Sequence, residues 1–214
     1  MKKIKYSEIT PEKIYNNRRS FIKSIGFGTG LIATSSFPLL NNALANNESK
    51  LTSYKDITTY NNYYEFGTAK GDPYKNAQNF KTEPWNISIE GEVENPINIS
   101  IEEISDEFTS EERILRLRCV EGWSMVIPWM GFSLNQLLSK VTLTSKAKFV
   151  EFESVYDPEQ MRGQRSPVLN WPYKEGLRID EAMHPLTTVV NGLYGKPLPN
   201  QNGAPLRIFI PWKY

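Results

Sequence analysis

The chain has 214 residues, a net charge of +1, and is 39% hydrophobic and 12% aromatic, which is enough apolar material to bury one sizeable core in one domain or two small ones. The charge is uneven: residues 1–45 hold 7 of the 25 Lys and Arg and 2 of the 24 acidic residues, leaving 18 basic against 22 acidic, a net of −4, in the remainder. That balance excludes a basic nucleic-acid surface, and one cysteine with one histidine, Cys119 and His184, excludes an internal disulfide and a zinc site of the usual His/Cys kind.

Lys2, Lys3, Lys5 and Lys13 lead into Asn17-Arg18-Arg19-Ser20-Phe21-Ile22-Lys23. A weakly apolar run from Ile25 to Leu40 follows, interrupted by Gly26, Gly28 and Gly30 and too short and polar for a comfortable membrane span. Ala43-Leu44-Ala45 then supplies a small-x-small pattern. This segment resembles a twin-arginine export signal, which predicts cleavage after Ala45, a mature domain over residues 46–214 and a periplasmic destination reached through the twin-arginine export machinery; the alternative is an uncut membrane anchor. Such signals export proteins already folded, often around a cofactor. A lone thiol sent to an oxidising compartment needs burial or metal ligation to protect it.

Asn46 to Tyr54 is polar, and Y-N-N-Y-Y-E-F-G from Tyr60 is too irregular for either helix or strand, so it reads as an ordered loop. Its Asn61, Tyr64 and Glu65 offer the mixed donors and acceptors that suit the edge of a polar heterocycle; the plain alternative is an aromatic cluster packed on the domain. Trp85 to Gly91 alternates as a half-buried strand. Ser100 with Glu103 fits a capping box opening a short helix through about Ile104. Ile114 to Val120 is β-rich, with Leu115, Leu117 and Cys119 on one face and Arg116 and Arg118 on the other. Ser133 with Gln136 predicts a second capping box, and Phe132 against Leu137 a hydrophobic staple, for a helix over 134 to about 140. Lys148 to Glu153 reads as a strand, Asp180 as the cap of a helix ending before Pro185, Thr187 to Asn191 as a strand with Gly192 and Gly195 in the turn after it, Pro199 to Pro205 as a rigid loop, and Leu206 to Ile210 as a strand. The class is mixed α+β, strand-dominated.

Cys119 lies within R-L-R-C-V-E-G-W-S-M-V-I-P-W from Arg116 to Trp129, a thiol among cations and large flat side chains. Nearby positive charge favours the thiolate, the form that ligates metals and attacks electrophiles. A small buried hydrophobe is the commoner fate of a single cysteine, and both readings stand on this segment alone.

Together the twin-arginine leader, the Tyr60 loop, the Arg116 segment, Y-D-P-E-Q-M at Tyr156, G-L-R-I-D-E-A-M-H-P-L-T at Gly176 and P-N-Q-N-G-A-P-L-R at Pro199 resemble the family of periplasmic protein-methionine-sulfoxide reductase catalytic subunits, nearly along the whole chain. The resemblance implies a sulfite-oxidase-type fold and a molybdenum-molybdopterin cofactor, with Cys119 as the thiolate ligand of the metal. It implies cofactor contacts from Asn61, Tyr64, Glu65, Ser154, Asn202 and Arg207, where Ser154 replaces an expected threonine and keeps its hydroxyl. Glu121, two residues past the cysteine, would lie near the metal and handle protons, and Trp123, Met125 and Trp129 would form an apolar rim. Oxidised periplasmic proteins would be the substrates and a haem-containing membrane subunit the electron donor. The family continues past Pro211-Trp212-Lys213-Tyr214 with a segment reaching the cofactor phosphate, so the resemblance also implies a C-terminally incomplete chain. The alternatives are a sulfite-oxidase-like enzyme acting on another S- or N-oxide, a cysteine hydrolase pairing Cys119 with His184, and an inactive secreted fragment.

Overall fold

The computed structural model describes residues 51–213, so the export-signal expectation for residues 1–45 lies outside the described residues. After helix α1 (Tyr54–Thr59) come a 3-10 turn (Tyr64–Phe66), α2 (Asp72–Asn76), the strands β1 (Asn86–Ile89) and β2 (Ile97–Ser100), and α3 (Ile101–Glu107). Then follow β3 (Glu111–Arg118), β4 (Ser124–Ser133), α4 (Leu134–Leu138), β5 (Phe149–Glu153), a 3-10 turn (Arg162–Arg165) and β6 (Lys174–Arg178). The chain closes with α5 (Ile179–Ala182), β7 (Thr188–Leu193), β8 (Lys196–Pro197), a 3-10 turn (Asn200–Asn202) and β9 (Arg207–Phe209).

The central sheet runs β3-β4-β7-β8, with β9 also paired to β7, and every pairing is antiparallel. β4 reads M-V-I-P-W-M-G-F almost without a polar break and is buried along nearly its whole length, as a strand covered on both faces must be. One face meets Ile99, Ile104, Phe108, Leu137, Leu177 and Val189 together with its own Phe132. The other carries Met125, Ile127 and Trp129 against Ile57, Leu193, Leu198 and Phe209. β1–β2 and β5–β6 form two separate antiparallel ribbons. A third cluster, Phe66, Ala77, Phe80 and Met161, lies beneath the 60–70 segment. Among the described residues no helix is long and apolar enough to cross a membrane.

The Ser100–Glu103 capping box forms as expected, and its helix runs on to Glu107. The second box does not form. Ser133 ends β4 and leads straight into α4, and its hydroxyl is committed elsewhere: it donates to the Pro185 carbonyl (2.6 Å) and accepts from Arg113 (3.1 Å), while the Leu134 N–H donates to the Thr187 carbonyl. α4 also stops at Leu138. Asp180 sits inside α5 rather than capping it, because the Arg178 guanidinium takes its carboxylate and Glu181 accepts the Arg178 N–H instead. Gly192 belongs to β7 and only Gly195 to the following turn.

Candidate active site

The β3–β4 hairpin turns through Cys119 to Trp123, between the paired Arg118 and Ser124. The Cys119 N–H donates to the Trp123 carbonyl (2.9 Å) and the Gly122 N–H to the Cys119 carbonyl (3.0 Å), so the thiol stands on the first residue of a hydrogen-bonded tip just past the strand end. Gly122 makes that tip possible: its φ of +89° is a backbone conformation open to glycine and strained for other residues.

A second loop comes down on this tip. Residues 61 to 70 are closed on themselves by the Asn61 N–H donating to the Lys70 carbonyl (2.9 Å). From this loop the Asn62 amide donates to Cys119 Sγ (3.2 Å), the Tyr64 hydroxyl donates to Glu121 Oε1 (3.0 Å), and Lys70 Nζ bridges Asn62 Oδ1 (2.9 Å) and Glu121 (2.7 Å). Trp123 Nε1 donates to Glu121 Oε2 (3.2 Å), which in turn lies 3.9 Å from the cysteine sulfur. Tyr60 packs edge-on against Trp123 (5.1 Å). Hydrogen bonds from Lys70, then Trp123 and Tyr64, hold the Glu121 carboxyl below the usual carboxylate range, so it is an ionised acceptor at neutral pH. For Lys70, burial disfavours the charge, yet the bond to Glu121 and the nearby Tyr64, Glu121 and Cys119 together carry its ammonium above the ordinary lysine value.

The same loop reaches inward to a buried polar cluster. Asn61 and Asn202 both donate their amide N–H to one acceptor, the Ile57 carbonyl (2.9 and 3.0 Å). Arg207 donates to the Asn202 carbonyl (3.0 Å), with its guanidinium carbon 4.9 Å from the Trp129 ring centre and 5.4 Å from that of Tyr63. The Tyr63 hydroxyl donates to the same Asn202 carbonyl, and burial pushes this phenol above its ordinary pKa, against the pull of Arg207. Within this cluster Asn61 Oδ1, Asn202 Oδ1, Arg207 Nε and Trp129 Nε1 are buried without a hydrogen-bond partner among the described residues. Buried polar atoms are nearly always satisfied, so open acceptors and donors on residues of one hydrogen-bonded cluster are positions for a ligand with matching edges. Glu65 is buried next to this set, and burial raises its carboxyl above the ordinary value.

The structure thus brings six of the expected residues into two adjoining groups, Cys119, Glu121 and Tyr64 in one and Asn61, Asn202 and Arg207 in the other, with Glu65 on the loop between them. Ser154 stands in neither: it follows β5, and its described bond is from its N–H to the Tyr173 carbonyl (2.9 Å). The expected apolar rim shrinks to Trp123, because Met125 and Trp129 face inward and are core. Cys119 and His184 are not paired: His184 Nδ1 accepts from the Leu186 N–H and its ring meets Trp212, whereas the thiol's described neighbours are Asn62 and Glu121. Asn62 and Lys70 were not anticipated. Asn62 had only its place beside Asn61 to mark it, and nothing local marks Lys70, 51 residues from the carboxylate it binds.

Residues 74–214 match the model of the oxidoreductase molybdopterin binding domain family. The chain is 50% identical to the protein-methionine-sulfoxide reductase catalytic subunit MsrP of Xanthomonas axonopodis pv. citri, covering 97% of this chain and 69% of that protein. The chain belongs to the MsrP family of molybdopterin-binding oxidoreductases. A further MsrP relative, from Burkholderia mallei, is 48% identical over 97% of this chain and 68% of its own length. In fold the chain resembles the sulfane dehydrogenase SoxCD from Paracoccus pantotrophus, with a TM-score of 0.50 at 14% identity, and spans 86% of itself and 51% of that chain. The fold is therefore of the sulfite-oxidase type, as expected, and membership of the MsrP family gives the polar cluster its ligand class. A pterin edge carries the alternating donors and acceptors that Asn61 Oδ1, Asn202 Oδ1 and Arg207 Nε lack, so the residues present fit the group.

Proposed function

We propose that this chain reduces methionine sulfoxide residues in proteins at a molybdenum-molybdopterin centre ligated by Cys119. The observation that carries the reading is the pairing of one half-exposed thiol, held on a hairpin tip under an amide donor and a carboxylate, with an adjoining buried cluster that has open pterin-type hydrogen-bonding positions. The reaction takes two electrons and two protons, breaks the S–O bond, and yields methionine and water. The bound molybdenum supplies the oxygen and electron chemistry.

The chain's own residues do the rest. Asn61, Asn202 and Arg207 would hold the pterin, with Tyr64 and Glu65 on the connecting loop; a part for the Ser154 hydroxyl rests on the family resemblance alone. The Arg207 guanidinium, stacked on Trp129 and Tyr63, presents a rigid donor edge. Glu121 would be the proton-handling group on position: it accepts from the Tyr64 hydroxyl and stands 3.9 Å from the sulfur. Tyr60 and Trp123, stacked edge to face at the tip, flank the approach to the thiol together with the largely exposed Val120. Their apolar surfaces suit a methionine side chain presented by many different proteins.

The leader read in residues 1–45 supports a periplasmic location reached by twin-arginine export, and the family resemblance supports a haem-bearing membrane subunit as electron donor. Metal analysis of purified protein tests the central reading. Stoichiometric molybdenum that is lost in Cys119→Ser, with reduction of a methionine-sulfoxide peptide by wild type and a low-potential dye, is the expected result. Cofactor-loaded protein without sulfoxide reduction would refute the assigned reaction.

A further inference from the structure

We propose that Lys70 is a positioning residue for the thiol centre: it orients the Asn62 amide so that Nδ2, and not Oδ1, faces the Cys119 sulfur, and thereby sets how strongly that sulfur donates to a bound metal. The inference rests on Cys119 being the metal ligand.

Lys70 Nζ lies 2.9 Å from Asn62 Oδ1, and Asn62 Nδ2 lies 3.2 Å from Cys119 Sγ. An ammonium has three donors and no acceptor. The amide atom facing Lys70 is therefore the oxygen, which leaves the NH2 end for the sulfur. Without the cation the amide is free to turn over, and its oxygen would then meet a sulfur that, once ionised, is itself an acceptor. A hydrogen bond to a ligating sulfur draws electron density away from the metal, and such outer contacts are among the protein's levers on reduction potential.

Lys70 is itself held for this task. Its ammonium also binds both oxygens of Glu121 (2.8 and 2.7 Å) and lies 5.1 Å from the Tyr64 ring centre. Its carbonyl accepts the Asn61 N–H, which ties its backbone to the residue before the amide it orients. Its side chain is only 19% exposed, which limits the positions the ammonium can take. The cation thus joins the two groups that flank the sulfur, Asn62 on one loop and Glu121 on the other.

The test compares Lys70→Met, Lys70→Arg, Asn62→Ala and the Lys70→Met/Asn62→Ala double variant in the cofactor-loaded enzyme. In Lys70→Met we expect a shifted molybdenum EPR spectrum, a lower metal reduction potential, and kcat down about tenfold with KM little changed. Asn62→Ala should give the same spectral and potential shifts, and the double variant no more than either single one. Lys70→Arg, which is also donor-only, should restore most of the wild-type spectrum. A loaded Lys70→Met enzyme with wild-type spectrum and potential overturns the proposal. Where a variant does not load, the cofactor-free full chain decides by NMR: the Asn62 side-chain amide shifts, set in wild type by its bonds to Lys70 and Cys119, should move in Lys70→Met toward those of a free amide. Unchanged amide shifts there also overturn the proposal. A wild-type chain that takes up no molybdenum counts against the proposed function instead, and the amide measurement still judges Lys70.

Discussion

Gly163 lies so close to Tyr64 that a Cβ on it would come within 1.8 Å of the Tyr64 carbonyl oxygen and 2.8 Å of the Glu65 carbonyl. The 3-10 turn of Arg162–Arg165 is pressed backbone to backbone against the turn of Tyr64–Phe66. Any side chain forces the two apart. Gly163→Ala should cost about 2 kcal/mol, a fall in Tm of roughly 4–8 °C, and should loosen the Tyr64–Glu121 contact as well. Thermal unfolding measures the first, and tyrosine NMR shifts the second; an unchanged Tm would show that the turns separate freely.

Asn61 separates a ligand role from a structural one. Its amide shares the Ile57 carbonyl with Asn202, so in Asn61→Ala that acceptor keeps one donor. The cofactor-free protein should lose about 1 kcal/mol or less, roughly 2–4 °C in Tm. Molybdenum content should fall far more steeply, because the open Oδ1 is gone. A large stability loss with full metal content would make Asn61 a purely structural residue.

Glu65 is the site's pH-sensitive element. Burial raises its folded-state pKa above the ordinary carboxylate value, so folding is favoured by this group below that ordinary value, and the contribution disappears as pH rises through the elevated one. Above the ordinary carboxylate value the burial is a cost that grows with pH until the folded carboxyl ionises. Glu65→Gln should therefore raise the Tm of the cofactor-free protein at pH 8 and leave it nearly unchanged at pH 4. Equal effects at both pH values would mean that the carboxyl does not titrate with folding.

Arg113 carries load in the sheet rather than in the site. Its guanidinium donates to the Pro185 carbonyl (3.2 Å), Thr188 Oγ1 (3.0 Å) and Ser133 Oγ (3.1 Å), tying β3, β4 and β7 together. Arg113→Met should lower stability by about 2 kcal/mol, with a Tm fall of roughly 4–8 °C, and leave the molybdenum content of folded protein unchanged. Titration of metal against folded fraction checks this.

Most strands were readable in advance because β1, β3, β5 and β7 declare themselves through alternation or apolar runs, and the Ser100 box works because both of its partners lie within one turn. The Ser133 box failed because a serine has one hydroxyl, and Pro185 and Arg113, remote in sequence, claim it first. Asp180 was displaced in a similar way by Arg178. In the site, Cys119, Asn61, Asn202 and Arg207 were legible through long motifs. Lys70 was not, since its role exists only once the 61–70 loop meets the hairpin tip. Met125 and Trp129, expected at the rim, belong to the core, and the near-continuous apolar run of β4 is the signal in the sequence that marks them so.

The bond that closes residues 61–70 into a ring has a consequence for the order of assembly. The loop carries its own closure, and the hairpin its own turn, so each can form locally; the groups around the sulfur meet only when these two parts dock across about fifty residues of chain. Docking sets Asn62 and Glu121 against a sulfur that stays half-exposed, so alkylation of Cys119 should slow, without stopping, as these two parts come together. Contacts this far apart in sequence are the kind that form slowly.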